Sequence, residues 1–279
     1  MKVLRRTVRL WGLYAWMDLV WLTRDLKYAG AYLISDLILG LASASTTLLL
    51  AARFGGIGVW TRDEIIFMLG FGILARGIVD ACFGYNVAFI SRRIGRGQLD
   101  HMLIQPQSLW LALLTDGFNP VSGSGIALPG LALLVWSAVR LGLTVTPGWL
   151  ALFALNLAAS CAVILAFTYL WSCAAFWAPR AAEEISSSTM RMVEQLKGFP
   201  LDGLGAGVVV GLLGVVPAGF VAWYPSRALL GLDPAPYAIG VTPLAAVVLW
   251  TITALVFRKG MKHYGRTGSQ RYLSLGHRG

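Results

Sequence analysis

Charged residues are scarce in this 279-residue chain, and their scarcity excludes an ordinary soluble domain. Only 13% of the residues are Asp, Glu, Lys or Arg, whereas 57% are hydrophobic. Soluble domains carry about 25% charged residues. The hydrophobic residues also come in runs of roughly 18 or more, the length that a helix needs to cross a bilayer. The sequence therefore predicts an all-α integral membrane protein.

The motifs of common enzyme classes are also missing. The chain has no GxxxxGK[ST] phosphate loop and no HExxH, GxSxG or CxxC motif. Its three histidines have no second ligand at metal-binding spacing. Its three cysteines lie within hydrophobic runs, where the expected role is that of small packing residues. We therefore expect no cofactor, no bound metal and no catalytic activity of the chain's own.

Six hydrophobic stretches are candidates for membrane-spanning helices. They are residues 29–52, 64–90, roughly 109–139, 149–172, 205–223 and 243–257. Eighteen of the 23 Lys and Arg residues lie in the two terminal segments and in connections on the same side, and four lie on the other side. Because Lys and Arg are retained on the cytoplasmic face, both termini are predicted to be cytoplasmic. The net charge of +10 is then a topology signal that also favours anionic lipid, and no nucleic-acid partner is expected.

The fifth crossing has two interpretations. Residues 181–199 have an apolar stripe on one helical face, while the other face carries three glutamates and Arg191. The cost of charges in lipid favours a cytoplasmic or interfacial helix here, with 205–223 as the span. Alternatively, 181–199 crosses the membrane beside a polar pathway, and 205–223 dips in and out from the far side.

The regions on either side of the spans differ in character. Residues 1–28 alternate basic side chains with Trp and Tyr, a pattern typical of a helix lying at the headgroup level. Residues 29–258 contain the six spans, and residues 259–279 form a basic tail, predicted to be cytoplasmic.

Two sets of residues within the second span deserve a structural explanation. Arg76 and Asp80 are four apart, so they lie on one helical face and can pair. Such a pair either neutralises itself against neighbouring helices or serves a substrate path or a subunit interface. Gly70, Gly77 and Gly84 recur every seven residues, which allows another helix to approach closely. That helix belongs either to this chain or to a second copy.

The connection between the second and third spans, residues 91–108, is predicted to form a short helix along the membrane surface. Two glycines interrupt the incoming helix, and Pro106 ends the short one. Leu99, Leu103 and Ile104 would give it an apolar face. An exposed apolar face suggests docking to another protein.

This connection also carries a family resemblance. From Ile94 to Ser108 it has the pattern I-x2-G-x-L-D-x2-L-x2-P-x-S, which resembles the same loop of ABC-2-type ABC transporter permeases. The closing sequence GMKHYGRTGSQRYLSLGHRG is similar to the C-terminal signature of one bacterial branch of that family. One departure is Gln105, where a basic residue is expected before the proline. The similarity covers the whole chain.

The resemblance implies an export permease of the bacterial inner membrane that has no ATP site of its own. Two six-span permease subunits, identical or different, would assemble with two copies of a separate ATPase. In that family the loop acts as a coupling helix that sits in a groove of the ATPase. The residues of this chain expected at the contact are Leu99, Asp100, His101, Leu103, Ile104 and Pro106.

Two other classes of membrane protein are weaker alternatives. An ion-coupled secondary transporter would carry ionisable residues at the midplane of broken helices, and Arg76 with Asp80 could serve it, but no two halves of the chain repeat visibly. An intramembrane enzyme needs a nucleophile or a metal set, which the sequence lacks.

Overall fold

The structure is a computed structural model and consists almost entirely of helices. It describes residues 2–95, 97–106, 109–115, 117–202, 204–233, 235 and 237–268. The helices are α1 (Lys2–Arg24), α2 (Leu26–Phe54), α3 (Arg62–Gly95), α4 (Gln98–Leu103), α5 (Leu109–Thr115), α6 (Ala127–Arg140), α7 (Pro147–Ser172), α8 (Pro179–Leu196), α9 (Ala206–Gly214), α10 (Trp223–Leu229) and α11 (Ala238–Thr267). Strands β1 (Gly56–Ile57) and β2 (Trp60–Thr61) form a hairpin, and 3-10 turns occupy Ser122–Gly125, Cys173–Phe176 and Pro217–Phe220.

Side-chain caps set the beginnings of several long helices. The carboxylate of Asp25 accepts a hydrogen bond from a backbone amide in the first turn of α2. Thr61 and Glu64 form a reciprocal capping box at the start of α3, with backbone-to-side-chain distances of 2.7 and 3.4 Å. Thr146 caps α7, and Pro147 fills its first position, where a missing N–H costs nothing. These capping residues can be recognised in the sequence.

The helices run between two ends, which we call the loop end and the hairpin end. At the loop end, Asp100 of α4 accepts a hydrogen bond of 2.7 Å from the Tyr264 hydroxyl of α11. At the hairpin end, the indole N–H of Trp60 in β2 donates to Asp202 at 2.5 Å. The N-terminal end of α7 also lies at the hairpin end, because the α3–β2 region and α7 share one apolar cluster there.

Several helices are long and apolar enough to cross a membrane. Among the described residues, four segments meet this test by length and composition: Arg62–Gly84, Ser122–Arg140, Pro147–Phe176 and Ala238–Thr267. Ala206–Gly214 and Pro217–Leu229 meet it together but are bent by 71°, so they are either one broken span or a re-entrant pair. The first predicted span lies within α2, which is continuous from Leu26 to Phe54. The predicted all-α membrane class is confirmed.

The third predicted span, roughly residues 109–139, is interrupted in its first part, where about thirty residues of helix would already exceed the thickness of the bilayer. Helix α5 ends at Thr115, and the apolar segment begins only at Ser122. Pro120 disfavours a helical conformation at Asn119. The backbone N–H of Asn119 instead donates to the carbonyl of Ala81 in α3 at 2.9 Å, so the link is folded against α3.

Helix α8 lies antiparallel along α3, as three contacts in chain order show. Near its start, Glu183 accepts a hydrogen bond of 2.8 Å from Arg92 at the loop end of α3. Glu194 contacts Arg76, which lies about 24 Å from Arg92 along a helix with a rise of 1.5 Å per residue. The chain after α8 then reaches Asp202 at the hairpin end. Two of the three glutamates that favoured a surface helix, Glu183 and Glu194, therefore face α3, whereas Glu184 is exposed.

The bent pair after α8 begins and returns at the hairpin end. Trp223, at the start of α10, donates its indole N–H to Asp202 at 2.6 Å. The carbonyl of Leu229, at the end of α10, accepts a hydrogen bond of 3.2 Å from the indole of Trp149 in the first turn of α7. Residues 206–229 therefore have the contacts of a re-entrant hairpin.

Helices α1 and α11 occupy much of the two regions that flank the spans. Helix α1 ends at Arg24, and Asp25 caps α2. Helix α11 continues to Thr267, so the predicted tail begins as helix. The remaining tail residues, 269–279, with most of the C-terminal signature, lie outside the described residues.

Candidate functional site

Four charged side chains form a network between α3 and α8. The guanidinium of Arg76 lies 2.7 Å from Asp80 and 3.2 Å from Glu194. The ammonium of Lys197 lies 2.5 Å from the other oxygen of Glu194. The side chain of Lys197 is 6% exposed, and those of Arg76 and Asp80 are about one-fifth exposed. The sequence predicted the pair but not its two partners.

The network is balanced in charge, and this balance explains why it can be buried. A lone charged side chain at the centre of a bilayer costs about 2.5–3.5 kcal/mol on insertion scales. Here two cations face two carboxylates, and each charge has a partner within 3.2 Å. Glu194 and Lys197 are three residues apart, so their pairing with each other was visible in the sequence, whereas their contact with α3 was not.

The cavities beside the network are too small for a substrate. One lies next to Arg76 and Met190, and another lies next to Glu194 and Lys197. Each has a volume of about 10 Å³, which is room for about one water molecule. Pockets for drug-sized molecules have volumes of about 300–1,000 Å³. The network therefore joins two helices and does not line an enclosed binding pocket.

Two of the three glycines of the second span, Gly70 and Gly77, pack against α6 of the same chain. A Cβ atom on Gly70 would lie 2.7 Å from the backbone nitrogen of Leu134, and one on Gly77 would overlap the backbone of Ala127. Real Cβ atoms essentially never approach that closely. The close approach that the seven-residue spacing predicted therefore occurs between α3 and α6, without a second copy.

Gly84 differs from the other two glycines. A Cβ there would lie 3.7 Å from the side-chain amide of Asn119, an ordinary contact. Two glycines of the segment Ser122–Arg140 continue the close contact with α3 instead. A Cβ on Gly123 would lie 2.6 Å from the Cα of Ala81, and one on Gly130 would lie 2.5 Å from the nitrogen of Leu74. These two glycines are also seven apart, so the same spacing rule would have found them.

The predicted short helix after α3 is α4, and it is anchored in the bundle by its first turn. Gly97 adopts a left-handed φ of 72°, which favours glycine and turns the chain into α4. Leu99 is 2% exposed, and Met102 is buried beside it. Both belong to the same apolar cluster as Tyr264 of α11. The loop is therefore folded onto the bundle and is not a loose connection.

The predicted apolar face of Leu99, Leu103 and Ile104 was wrong as a single face. Leu103 is 45% exposed and Ile104 is 80% exposed, so they point away from the bundle. For Ile104 the reason is the shortness of α4, which ends at Leu103 and leaves Ile104 in the cap position. Met102, three residues after Leu99, takes the inward position instead. The outward apolar residues are thus a pair at the end of the helix.

The remaining predicted contact residues also divide into one that faces the bundle and two that face outward. The family resemblance implies that Asp100 belongs to the ATPase contact, whereas its Oδ1 atom accepts the hydrogen bond from Tyr264 within the chain. His101 and Pro106 are exposed. We define the loop patch as His101, Leu103, Ile104 and Pro106, the predicted residues that face outward.

The carboxylate of Asp202 joins three separate segments at the hairpin end. It accepts hydrogen bonds from the indoles of Trp60 and Trp223 and pairs with Arg227 of α10. A buried carboxylate is well satisfied when it accepts two hydrogen bonds and also pairs with a guanidinium. Sequence reasoning missed this site: the four-residue spacing puts Trp223 and Arg227 on one helical face, but no spacing connects them to Trp60 or Asp202.

Helix α1 is fixed to the bundle at the start of the 3-10 turn before α6. The carboxylate of Asp18 accepts hydrogen bonds from the backbone amides of Val121 and Ser122, at 2.8 and 3.0 Å. Trp11 stacks on Phe118 with 5.3 Å between ring centroids. On the outer side Trp16 is 64% exposed.

Comparison with known proteins finds the same family that the loop pattern resembles. The family model described as ABC-2 family transporter protein matches residues 37–268, which cover most of the chain. Neither the search of curated proteins nor the search of solved structures finds a match.

Proposed function

Because the chain belongs to the ABC-2 family of transporter proteins, we propose that it is the permease subunit of an ATP-driven exporter whose ATPase is a separate protein. The family supplies the membrane component of ABC transporters and is not itself catalytic. The chain is accordingly a multi-pass membrane permease. The ATPase partner, the direction of transport and the bacterial inner membrane as its location belong to the proposal.

The loop patch is the observation that carries the proposal. Leu99 and Asp100 anchor α4 to the bundle, while Leu103 and Ile104 project from its end. Isolated exposed apolar residues are common, but here two adjacent ones stand on a segment that is fixed in place. A fixed apolar projection suits a groove on a partner, and the ATPase is the partner that such a family member requires.

We further propose six crossings with both termini in the cytoplasm. The crossings are α2, α3, the segment Ser122–Arg140, α7, α8 and α11. The contacts of α8 along α3 support its crossing, and the return of residues 206–229 to the hairpin end supports a re-entrant pair. The excess of Lys and Arg in the segments at the loop end supports a cytoplasmic location for that end.

A second permease subunit, identical or different, completes the transporter. The cavities beside the charged network hold no more than about one water molecule, so a substrate path through that part of one subunit has no room. A path between two subunits needs no such internal space.

The exposed Trp16 and Met17 of α1 suit contact with lipid at the membrane surface.

Copurification of the ATPase tests the proposed contact. We expect Ile104→Asp, and Leu103→Asp beside it, to reduce recovery of the ATPase with the permease by about tenfold or more, because burial of each side chain contributes about 1.5–3 kcal/mol. Val59→Asp is the matched control, since Val59 is 71% exposed at the opposite, hairpin end. It should leave recovery unchanged.

Two results would count against this function. Normal ATPase recovery and normal transport with well-expressed Ile104→Asp would mean that the loop patch is not the contact. Transport that follows an ion gradient and continues without ATP would instead identify a secondary transporter.

A further inference from the structure

The hydrogen bond between Asp100 and Tyr264 joins the loop segment to the last long helix. The hydroxyl of Tyr264 donates to Oδ1 of Asp100 at 2.7 Å, a length typical of charge-assisted bonds. Residues 100 and 264 are far apart in the chain, and Tyr264 is 6% exposed. A buried tyrosine hydroxyl requires a partner, and here that partner is the segment that carries the loop patch.

Aromatic packing places the same part of α11 against the 3-10 turn that follows α7. The ring of Phe176 lies 6.0 Å from that of Tyr264 and 5.5 Å from that of Phe257, both edge to face. Gly260 lies so close to Phe176 that a Cβ atom there would overlap the ring. His263 also stacks on Trp177, at 5.9 Å. The last turns of α11 therefore contact both α4 and the turn after α7 at the loop end.

These contacts form a continuous connection from the loop patch to α11. Leu103 and Ile104 are three and four residues from Asp100, on the same short helix or its cap. The short helix α4 packs as one unit on a single buried cluster. A displacement of the loop patch therefore also displaces Asp100. A displacement of Asp100 acts on Tyr264 through a bond that cannot lengthen much without breaking.

We propose that Tyr264 is a positioning residue that passes movement of the loop segment to α11. This inference rests on the proposed function, in which a separate ATPase moves the loop patch. Helix α11 is continuous over 30 residues, so a displacement of its loop end is carried along its length toward the hairpin end. The ring of Tyr264 supplies the packing, and its hydroxyl supplies the connection to Asp100.

Distances between paired spin labels test the inference in the complete complex. In a chain whose native cysteines are replaced by alanine, one label pair joins Lys262→Cys on α11 to Leu150→Cys on α7. A second pair joins Gln98→Cys on α4 to the same α7 position. All three sites are exposed. The labelled chain is diluted with unlabelled permease, assembled with its ATPase in lipid nanodiscs, and measured without nucleotide and after trapping with ATP and vanadate.

We expect trapping to shift both distances in the chain with Tyr264 intact. In Tyr264→Phe, which removes only the hydroxyl, the α4 distance should still shift, while the shift of the α11 distance should fall to less than half. Tyr237→Phe is the matched control, because Tyr237 precedes the opposite end of α11 and is 72% exposed. It should behave like the parent chain.

The outcomes separate this inference from the proposed function. A chain with Tyr264 in which α4 moves but α11 does not would overturn the inference, and so would a full α11 shift in Tyr264→Phe. The first of these results needs no variant at Tyr264, so poor folding of that variant leaves the inference testable. Absence of any ATPase binding, or of any α4 shift, would remove the proposed function and this inference with it.

Discussion

Arg76 of α3 and Glu194 of α8 lie 3.2 Å apart, from Nη1 to Oε1, although 118 positions separate them in the chain. This contact holds a helix with a strongly polar face against the most buried of the apolar helices. Because Asp80 and Lys197 complete the network, the polar face of α8 meets compensating charge. Pairing across the two helices thus makes a charged helix compatible with a position inside a membrane bundle.

Replacement of Arg76 should be more harmful than replacement of Arg76 and Asp80 together. Arg76→Ala leaves Asp80 without its ion pair, and breaking a buried pair costs about 3–5 kcal/mol. The double replacement with Asp80→Ala leaves only Glu194 and Lys197, which neutralise each other at 2.5 Å. We expect the double variant to unfold at a higher temperature than Arg76→Ala when tryptophan fluorescence is followed in detergent.

An exposed ion pair provides the control for this comparison. Arg140 lies 3.6 Å from Asp63, and its side chain is 63% exposed. Exposed pairs contribute about 0–1 kcal/mol, so Arg140→Ala should change the unfolding temperature little. Strictly additive losses from Arg76→Ala and Asp80→Ala would show that the two side chains are not coupled.

Spacing rules predicted residues within one helix and failed to predict their partners on another. A four-residue spacing found Arg76 and Asp80, because helical geometry alone places them on one face. Nothing in that geometry points to Glu194, whose position depends on how α8 packs. The Asp202 site shows the same limit, since Trp60 reaches it from β2, whereas Trp223 and Arg227 reach it from α10.

Hydrophobicity predicted where helices occur better than where they end. Residues 109–139 are apolar at both ends, but the polar stretch between them contains Pro120, and Asn119 there donates a hydrogen bond to α3. The loop segment shows the same limit, because a six-residue helix ends before Ile104 can share a face with Leu99. The existence of α4 followed from its glycines and proline, whereas the direction of each side chain required the packed structure.

Substitution of Gly77 should disrupt the packing of α3 against α6. A methyl group on Gly77 would overlap the backbone of Ala127, which cannot move as a side chain can. Overpacking of this kind costs about 1–3 kcal/mol, so Gly77→Ala should lower the unfolding temperature. Gly84→Ala is the matched control, with 3.7 Å to its nearest neighbour. It should be neutral or slightly stabilising, because alanine favours a helix by about 1 kcal/mol over glycine.

Equal tolerance of alanine at Gly77 and Gly84 would contradict a close α3–α6 contact. The same measurement on Gly130→Ala approaches the contact from the other helix, where a Cβ would lie 2.5 Å from the backbone nitrogen of Leu74. We expect it to match Gly77→Ala in direction.

The crossing of α8 can be decided by thiol labelling in intact cells. In a chain without native cysteines, Ala181→Cys marks the start of α8 and Gly205→Cys follows its end, and both positions are exposed. A membrane-impermeant maleimide should label Gly205→Cys and leave Ala181→Cys unlabelled until the cells are opened. Val59→Cys at the hairpin end and Ile104→Cys at the loop end serve as the reference for each side.

The labelling pattern separates the two interpretations of the fifth crossing because they place residue 205 on opposite sides. If α8 lies on the cytoplasmic surface and 205–223 is the span, position 205 begins that span from the cytoplasm and stays protected, like position 181. If α8 crosses, its length of 18 residues corresponds to about 27 Å, close to the hydrocarbon thickness, and position 205 emerges on the far side. Protection at 205 together with labelling at 59 would therefore remove α8 from the membrane. The contact between Arg76 and Glu194 would then have to form at the cytoplasmic surface, which is inconsistent with the place of Arg76 within the apolar segment Arg62–Gly84.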